Sequence, residues 1–171
     1  NVVISICESP GKTPLQIVRH ALQKARELDI GKVDGDSAWC VFDVDECEDK
    51  DMRRAVEIAG NELELAVSNP CFEVWFLLHH TFAEKRMDTC RDVIIELRKY
   101  VPGYDKSAEH FDHLRPLSST AIFNAERLER SRVGMGYLAH MRGANPCTNV
   151  HHLVKMILGD PDHPSKSENE R

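Results

Sequence analysis

The sequence has no apolar run approaching the roughly 18–20 residues of a membrane-spanning helix, which excludes an integral helical membrane protein. It has no excess of positive charge. Its formal net charge of −6 argues against a broadly basic nucleic-acid coat, though not against a local nucleic-acid site. None of its six cysteines stands in a CxxC pair. Cys7, Cys40 and Cys71 lie in apolar or strand-like contexts, so they read as buried free thiols of a reducing cytoplasm. No secretory signal is visible. A complete phosphate-binding loop is missing too. Gly11-Lys12-Thr13 needs a glycine at position 6, where Ile6 stands, and a Walker ATPase is excluded. No internal repeat is present beyond two Asn-Pro-Cys tripeptides, at 69–71 and 145–147, both read as helix-entry turns.

What is present suits one compact domain with a small appendage: 171 residues, 42% hydrophobic and 29% charged. That is enough to bury a core without disulfide or metal staples. The chain opens at Asn1 already inside an apolar run, and reads as a fragment of a longer protein.

Residues 2–6 form a β-branched run that predicts a buried strand. Thr13 and Pro14 then predict a helix start, with Leu15, Val18, Leu22, Ala25 and Leu28 on one face. Residues 39–42 predict a second strand and residues 63–67 a third, with a short helix over 52–59 between them. Asn69 reads as an N-cap and Pro70 as the first residue of an apolar helix over 72–80. Strand and helix alternation at this pitch predicts βαβ units and a parallel sheet. After residue 83 no strand is foreseen; helices are expected over 87–100, 120–132 and from Thr148 or Asn149 to Leu158. Residues 159–171 carry almost no apolar side chain and read as a flexible tail.

The charge is uneven. Residues 29–73 are rich in acids, and residues 85–142 carry a modest excess of bases that includes Arg115, Arg127, Arg130, Arg132 and Arg142. Among the acids, Asp43 and Asp45 stand at i and i+2 on a strand end, where alternation puts both carboxylates on one face. In an open α/β sheet, ligands bind outside the carboxyl ends of the strands. Two close carboxylates repel unless a cation neutralises them, and Mg²⁺ takes one or two carboxylates while keeping several waters. Glu46 is a further ligand candidate. The competing reading is a polar strand exit.

Glu73, in the first turn of the next helix, is either a third carboxylate or ordinary helix-dipole chemistry. Asn69 can orient a phosphate or serve as a cap. Lys12, with Ser9 and Thr13 at a helix start, can hold an anion or belong to a plain cap. His79 is a substrate-side candidate or a satisfied buried histidine. The pairs His110 with His113 and His151 with His152 lack partner ligands at structural spacing, and read as surface histidines. Glu126 and Glu129 between the arginines suggest a solvated helix with mixed ion pairs.

Three stretches carry a resemblance. Residues 39–46 (WCVFDVDE), 68–79 (SNPCFEVWFLLH) and 145–151 (NPCTNVH) resemble the RloB-like proteins, with matching order and spacing over about residues 1–158. The resemblance implies a role in bacterial anti-phage defence and abortive infection, beside an AAA-type ATPase partner. It also implies a core related to the Toprim fold, and Mg²⁺-dependent (or Mn²⁺-dependent) phosphodiester chemistry on DNA or RNA. The family's Gly-x-x-Thr-Glu turn has no counterpart in this chain, and its glutamate is not transferred to Glu8.

Together these readings predict an α/β, Toprim-like protein with a short, mostly parallel sheet flanked by helices, followed by a helical C-terminal region. A core is expected over 1–83, a helical extension over 84–158 and a tail over 159–171. Asp43, Asp45 and Glu73 are the expected catalytic residues, Asp43, Asp45 and Glu46 the metal ligands, and Asn69, Lys12 and His79 the substrate contacts. Nucleic acid is the expected partner, homo-oligomerisation stays open, and the cytoplasm is the expected location. A non-catalytic sensor or docking module for the ATPase is the alternative.

Overall fold

A computed structural model of the chain describes residues 4–9, 11, 13–31, 35–44 and 47–159. Helix α1 (Pro14–Glu27) starts where the sequence predicts. Thr13 accepts from the Gln16 backbone N–H while the Gln16 side chain accepts from the Thr13 N–H, a reciprocal capping box with Pro14 at the first position. Its apolar stripe of Val18, Leu22 and Ala25 is buried. Strand β1 (Trp39–Asp43) leads through α2 (Asp49–Ala59) into β2 (Glu64–Asn69). The two strands pair in parallel, from Trp39 opposite Glu64 to Asp43 opposite Ser68. This is the βαβ unit that the alternation of periods foresees.

Helix α3 (Glu73–Leu78) follows, then α4 (Cys90–Leu97), the short α5 (Phe111–Leu114) and the long α6 (Ser118–Gly134). Strand β3 (Cys147–Thr148) joins the far side of β2, and α7 (Val150–Leu158) closes the described fold. No helix among the described residues is long and apolar enough to cross a membrane.

The sheet separates two apolar cores. On one face Cys40, Phe42, Val44 and Val67 pack with Val18 and Leu22 of α1 and Met52, Ala55 and Ala59 of α2. On the other, Ala66 packs with Val74, Leu77 and Leu78 of α3, Val93 and Leu97 of α4, and Ala121, Ala125 and Leu128 of α6. This second core draws on residues before and after position 83. The helical extension therefore supplies both a strand and half of a core, and is no detachable layer.

Four sequence expectations are corrected. Residues 4–6 of the expected first strand form no strand, and Ile4 and Ile6 are exposed, whereas residues 2 and 3 lie outside the described residues. An apolar run becomes a strand only where a neighbour completes its ladder. A strand does follow residue 83, where none is foreseen: β3 runs antiparallel to β2, pairing Asn69 with Cys147 and Ser68 with Thr148, and makes the sheet mixed beside its longer parallel β1–β2 pair. A two-residue strand carries no periodicity to read. The second Asn-Pro-Cys tripeptide thus ends in a strand that faces the first tripeptide. Lastly, Asn69 does not cap a helix. It ends β2, and α3 begins at Glu73.

The expectation of free thiols also fails for Cys71, which is bonded to Cys90 across 19 residues. Their Cα atoms stand 5.5 Å apart, within disulfide reach. Disulfides persist mainly in oxidising compartments, so this cystine lends the cytoplasmic expectation no support. The remaining thiols differ in access: Cys7 is exposed, Cys47 half-buried, and Cys40 and Cys147 buried. Burial pushes the Cys40 thiol up to about 11. Burial, aided by the Glu129 carboxylate, pushes Cys147 up to about 12. Since the thiolate is the nucleophile, iodoacetamide at pH 8 should label native protein at Cys7 and more slowly at Cys47. Cys40 and Cys147 should label only after denaturation, and Cys71 and Cys90 only after reduction as well. Intact-mass measurement counts the adducts, and native labelling at Cys40 would contradict this packing.

Candidate functional site

The site is built at the carboxyl end of the β1–β2 pair. Burial alternates along β1: Cys40 and Phe42 are buried, Val41 is exposed and Asp43 is half-buried. Val44 is buried again, and its N–H donates to the Ser68 carbonyl at 2.8 Å, carrying the ladder one residue past Asp43. Val41 and Asp43 therefore share the face opposite the α1–α2 core. Asp43 lies in register with Ser68, whose hydroxyl shares a 2.9 Å hydrogen bond with that of Thr148. Asp45, Glu46 and Lys12 lie outside the described residues.

A loop over residues 135–146 crosses the same end of the sheet. The Asn69 side-chain amide donates to the Met141 carbonyl at 2.8 Å, and the Arg142 N–H donates to an Asp49 carboxylate oxygen at 3.3 Å. The exposed Arg142 is thereby held beside the start of α2. Its charge reaches Cys47, where it opposes the upward push of burial and of the neighbouring acids. It also reaches Glu48, whose carboxyl is held low chiefly by Lys50 and further by Arg142. His140 is pushed down by burial, with Asp49 opposing and Arg53 adding to the shift, so it is neutral at physiological pH.

Sequence reading did not connect Arg142 or His140 to Asp43. The only signal available was the second Asn-Pro-Cys tripeptide just downstream, whose β3 strand draws this loop over the end of β2.

The structure commits the other expected site residues to internal contacts. Glu73 is buried, and its carboxylate accepts from the Tyr104 hydroxyl at 3.2 Å and pairs with Lys106 at 2.8 Å. Burial and this carboxylate both push the Tyr104 hydroxyl up. The second carboxylate oxygen lies 3.1 Å from the Cys90 sulfur. Glu73 thus gathers with Cys71 and Cys90, and among the described residues no group of three metal-ligating side chains contains Asp43. His79 is buried, bonded through Nδ1 to the Trp75 carbonyl at 2.9 Å and set edge-on to the Trp75 ring. Desolvation pushes it down, so it is the satisfied core histidine of the two readings. Asn69 is buried too, with its amide committed to Met141.

Of the basic helical face only Arg132 is buried, whereas Arg115, Arg127 and Arg130 are exposed. Arg127 sits 3.8 Å over the Phe82 ring. Arg132 is buried and donates to the Pro146 and Glu84 carbonyls at 3.1 and 2.7 Å. Arg130 stands 3.9 Å from Glu126.

Comparison with known proteins agrees with the three sequence stretches. A family model described as RloB-like protein matches residues 2–157. No curated protein matches the chain, and no solved structure does.

Proposed function

Because the chain belongs to the RloB-like family, we propose that it is a Mg²⁺-dependent nuclease of anti-phage defence, cleaving phosphodiester bonds in DNA or RNA. The observation that supports this most is the end of β1. Asp43 leaves the ladder on the face away from the α1–α2 core, in register with Ser68, beneath a loop that brings Arg142 to the acidic connection. Asp45 and Glu46 follow in the sequence, and this reading assigns their carboxylates to the same ion. The donor set is made of hard carboxylate oxygens, the chemistry Mg²⁺ prefers. When bound, Mg²⁺ or Mn²⁺ supplies a polarised phosphate oxygen and an activated water.

The protein's own residues do the rest. Asp43 holds negative charge at the strand end, and in this reading Asp45 and Glu46 add theirs. Arg142 offers a guanidinium fork to a phosphate oxygen. The Ser68–Thr148 hydroxyl pair and the Asn69–Met141 bond fix the floor and the loop, so that the carboxylates and the cation keep their separation. Glu73, committed to Lys106 and Tyr104, holds the α3 start in place. The metal carboxylates of this reading are therefore Asp43, Asp45 and Glu46.

The test is incubation of the purified full-length protein with DNA and RNA, with Mg²⁺ or Mn²⁺, alone and with its AAA-type ATPase partner. Cleavage that EDTA stops is expected. Absence of cleavage under all these conditions, with phage protection intact in Asp43→Asn, would replace the nuclease by a docking or sensing module.

A further inference from the structure

Where α6 packs against α7, three metal-ligating side chains converge far along the chain from Asp43. Glu129 comes from α6, and His151 and His152 from the first turn of α7. One carboxylate oxygen of Glu129 lies 3.3 Å from Nε2 of His151 and 3.0 Å from Nε2 of His152. One ligand atom from each of the three residues lies within 4.8 Å of the others.

Adjacent histidines on a helix ordinarily diverge by about 100° and cannot share an ion. Here their ring centroids are 4.1 Å apart and the rings are tilted by only 35°. The first turn of α7 brings both imidazoles to the same carboxylate. His151 is wholly buried: its Nε2 has only the Glu129 carboxylate nearby, at 3.3 Å and without hydrogen-bond geometry, and its Nδ1 has no hydrogen-bond partner. A buried polar atom without a partner costs about 1–3 kcal/mol, so native structures seldom leave one.

We propose that Glu129, His151 and His152 form a binding site for a divalent transition ion of the zinc class, clamping α7 to α6. With metal–ligand distances of about 2.0–2.2 Å and tetrahedral angles, neighbouring ligand atoms stand about 3.3 Å apart. The two measured carboxylate–imidazole separations fit that edge. Imidazole nitrogen with carboxylate oxygen selects zinc over magnesium or calcium. An ion at the centre gives the buried Nε2 of His151 its partner. Glu129 and His152 are partly exposed, with side chains 26% and 36% accessible, so the fourth position faces solvent and takes a water. Nearby cations are otherwise engaged: Lys155 pairs with Glu126 at 3.0 Å, and Arg132 donates to the Pro146 and Glu84 carbonyls.

The experiment uses the full chain, stripped with EDTA and exchanged into chelator-free buffer. Titration with Co²⁺ should produce the visible d–d absorption of a tetrahedral ion, saturating at one equivalent and bleached by Zn²⁺. The midpoint of thermal unfolding should rise by about 5 °C or more in a hundredfold excess of Zn²⁺ over its Kd. Glu129→Gln and His152→Gln, both at partly exposed positions, should lose the absorption and weaken Zn²⁺ binding at least tenfold, with unchanged far-UV circular dichroism. Asp43→Asn should keep the absorption, which separates this site from the one at β1. The wild-type measurements stand even if a variant fails to fold. Four results would overturn the site: no tetrahedral absorption in wild type, its survival in both ligand variants, its loss in Asp43→Asn, or a thiolate charge-transfer band pointing to Cys71 and Cys90.

Discussion

Asp43→Asn should lower metal-dependent cleavage by about 10²–10⁴-fold while leaving the fold unchanged. The substitution preserves the size of the side chain and one acceptor oxygen, removes the charge and turns the other oxygen into an NH2 donor. A metal's stabilisation of developing phosphate charge is worth several kcal/mol, and each 1.36 kcal/mol is a factor of ten in rate. The loss should be partly recovered at raised Mn²⁺ if it arises from weakened ion binding. Arg142→Gln should act differently, raising the apparent KM more than it lowers kcat, because its backbone is tied to Asp49 of α2 and its charge is felt at Cys47 and Glu48 of the connection. Glu73→Gln is the informative contrast. It leaves Lys106 without its partner and alters the acceptor of the buried Tyr104 hydroxyl, so about 1–2 kcal/mol of stability should disappear. Cleavage by the folded fraction should stay within a few-fold of wild type. If Glu73→Gln abolished cleavage and Asp43→Asn did not, the placement of the metal carboxylates at the end of β1 would be wrong.

Asn149→Ala should destabilise the protein by about 2–5 kcal/mol, although Asn149 lies outside the sheet. Its side-chain oxygen accepts from the Val67 N–H at 2.6 Å, and its amide donates to the Leu65 carbonyl at 3.0 Å. Its own backbone N–H donates to the Val67 carbonyl at 3.1 Å. One side chain thus stands in for a missing strand residue beside β2, where β3 has already ended. Truncation strands the N–H of the buried Val67 and the carbonyl of the half-buried Leu65 together. Urea unfolding should show a lower midpoint with an unchanged slope.

Asn149→Asp sharpens the test. Its carboxylate can still accept from Val67 but repels the Leu65 carbonyl, whereas the neutral acid can donate to it. The folded state then favours the protonated form, which raises the folded pKa above the unfolded one. The stability of Asn149→Asp should accordingly recover as pH falls below the folded pKa and decline as pH rises through it. A variant as stable as wild type at neutral pH would show that the Leu65 bond contributes nothing.

The same side-chain logic recurs at Asn145, which accepts from the Met87 N–H at 3.0 Å and donates to the Met87 carbonyl at 2.7 Å. Asparagine in both Asn-Pro-Cys-containing segments therefore serves as a surrogate strand residue or a backbone latch. Read along the chain, the same residues suggest only caps and turns, because an amide's distant partner has no sequence signature. The histidines show the opposite outcome. His79 keeps the buried reading that its apolar helix suggests. His151, read as a surface residue, is wholly buried against α6. The sequence around His151 says where the helix starts, and nothing about which helix it meets.

By itself, the sequence determined the local elements: α1 with its Thr13 cap, the β1–α2–β2 unit, the apolar α3, the polar exit of β1 at Asp43, and the family over residues 2–157. Those features rest on periodicity, capping and turn chemistry, which act over a few residues. Tertiary structure alone decided the rest. It added an antiparallel strand at Cys147–Thr148, joined Cys71 to Cys90, turned Glu73 toward Lys106 and Tyr104, and held Arg142 beside the start of α2. It also brought Glu129 to a pair of histidines more than a helix away. Each of these unites groups distant along the chain. Which groups meet is fixed by how the two faces of one small sheet are covered, and that depends on the whole chain at once.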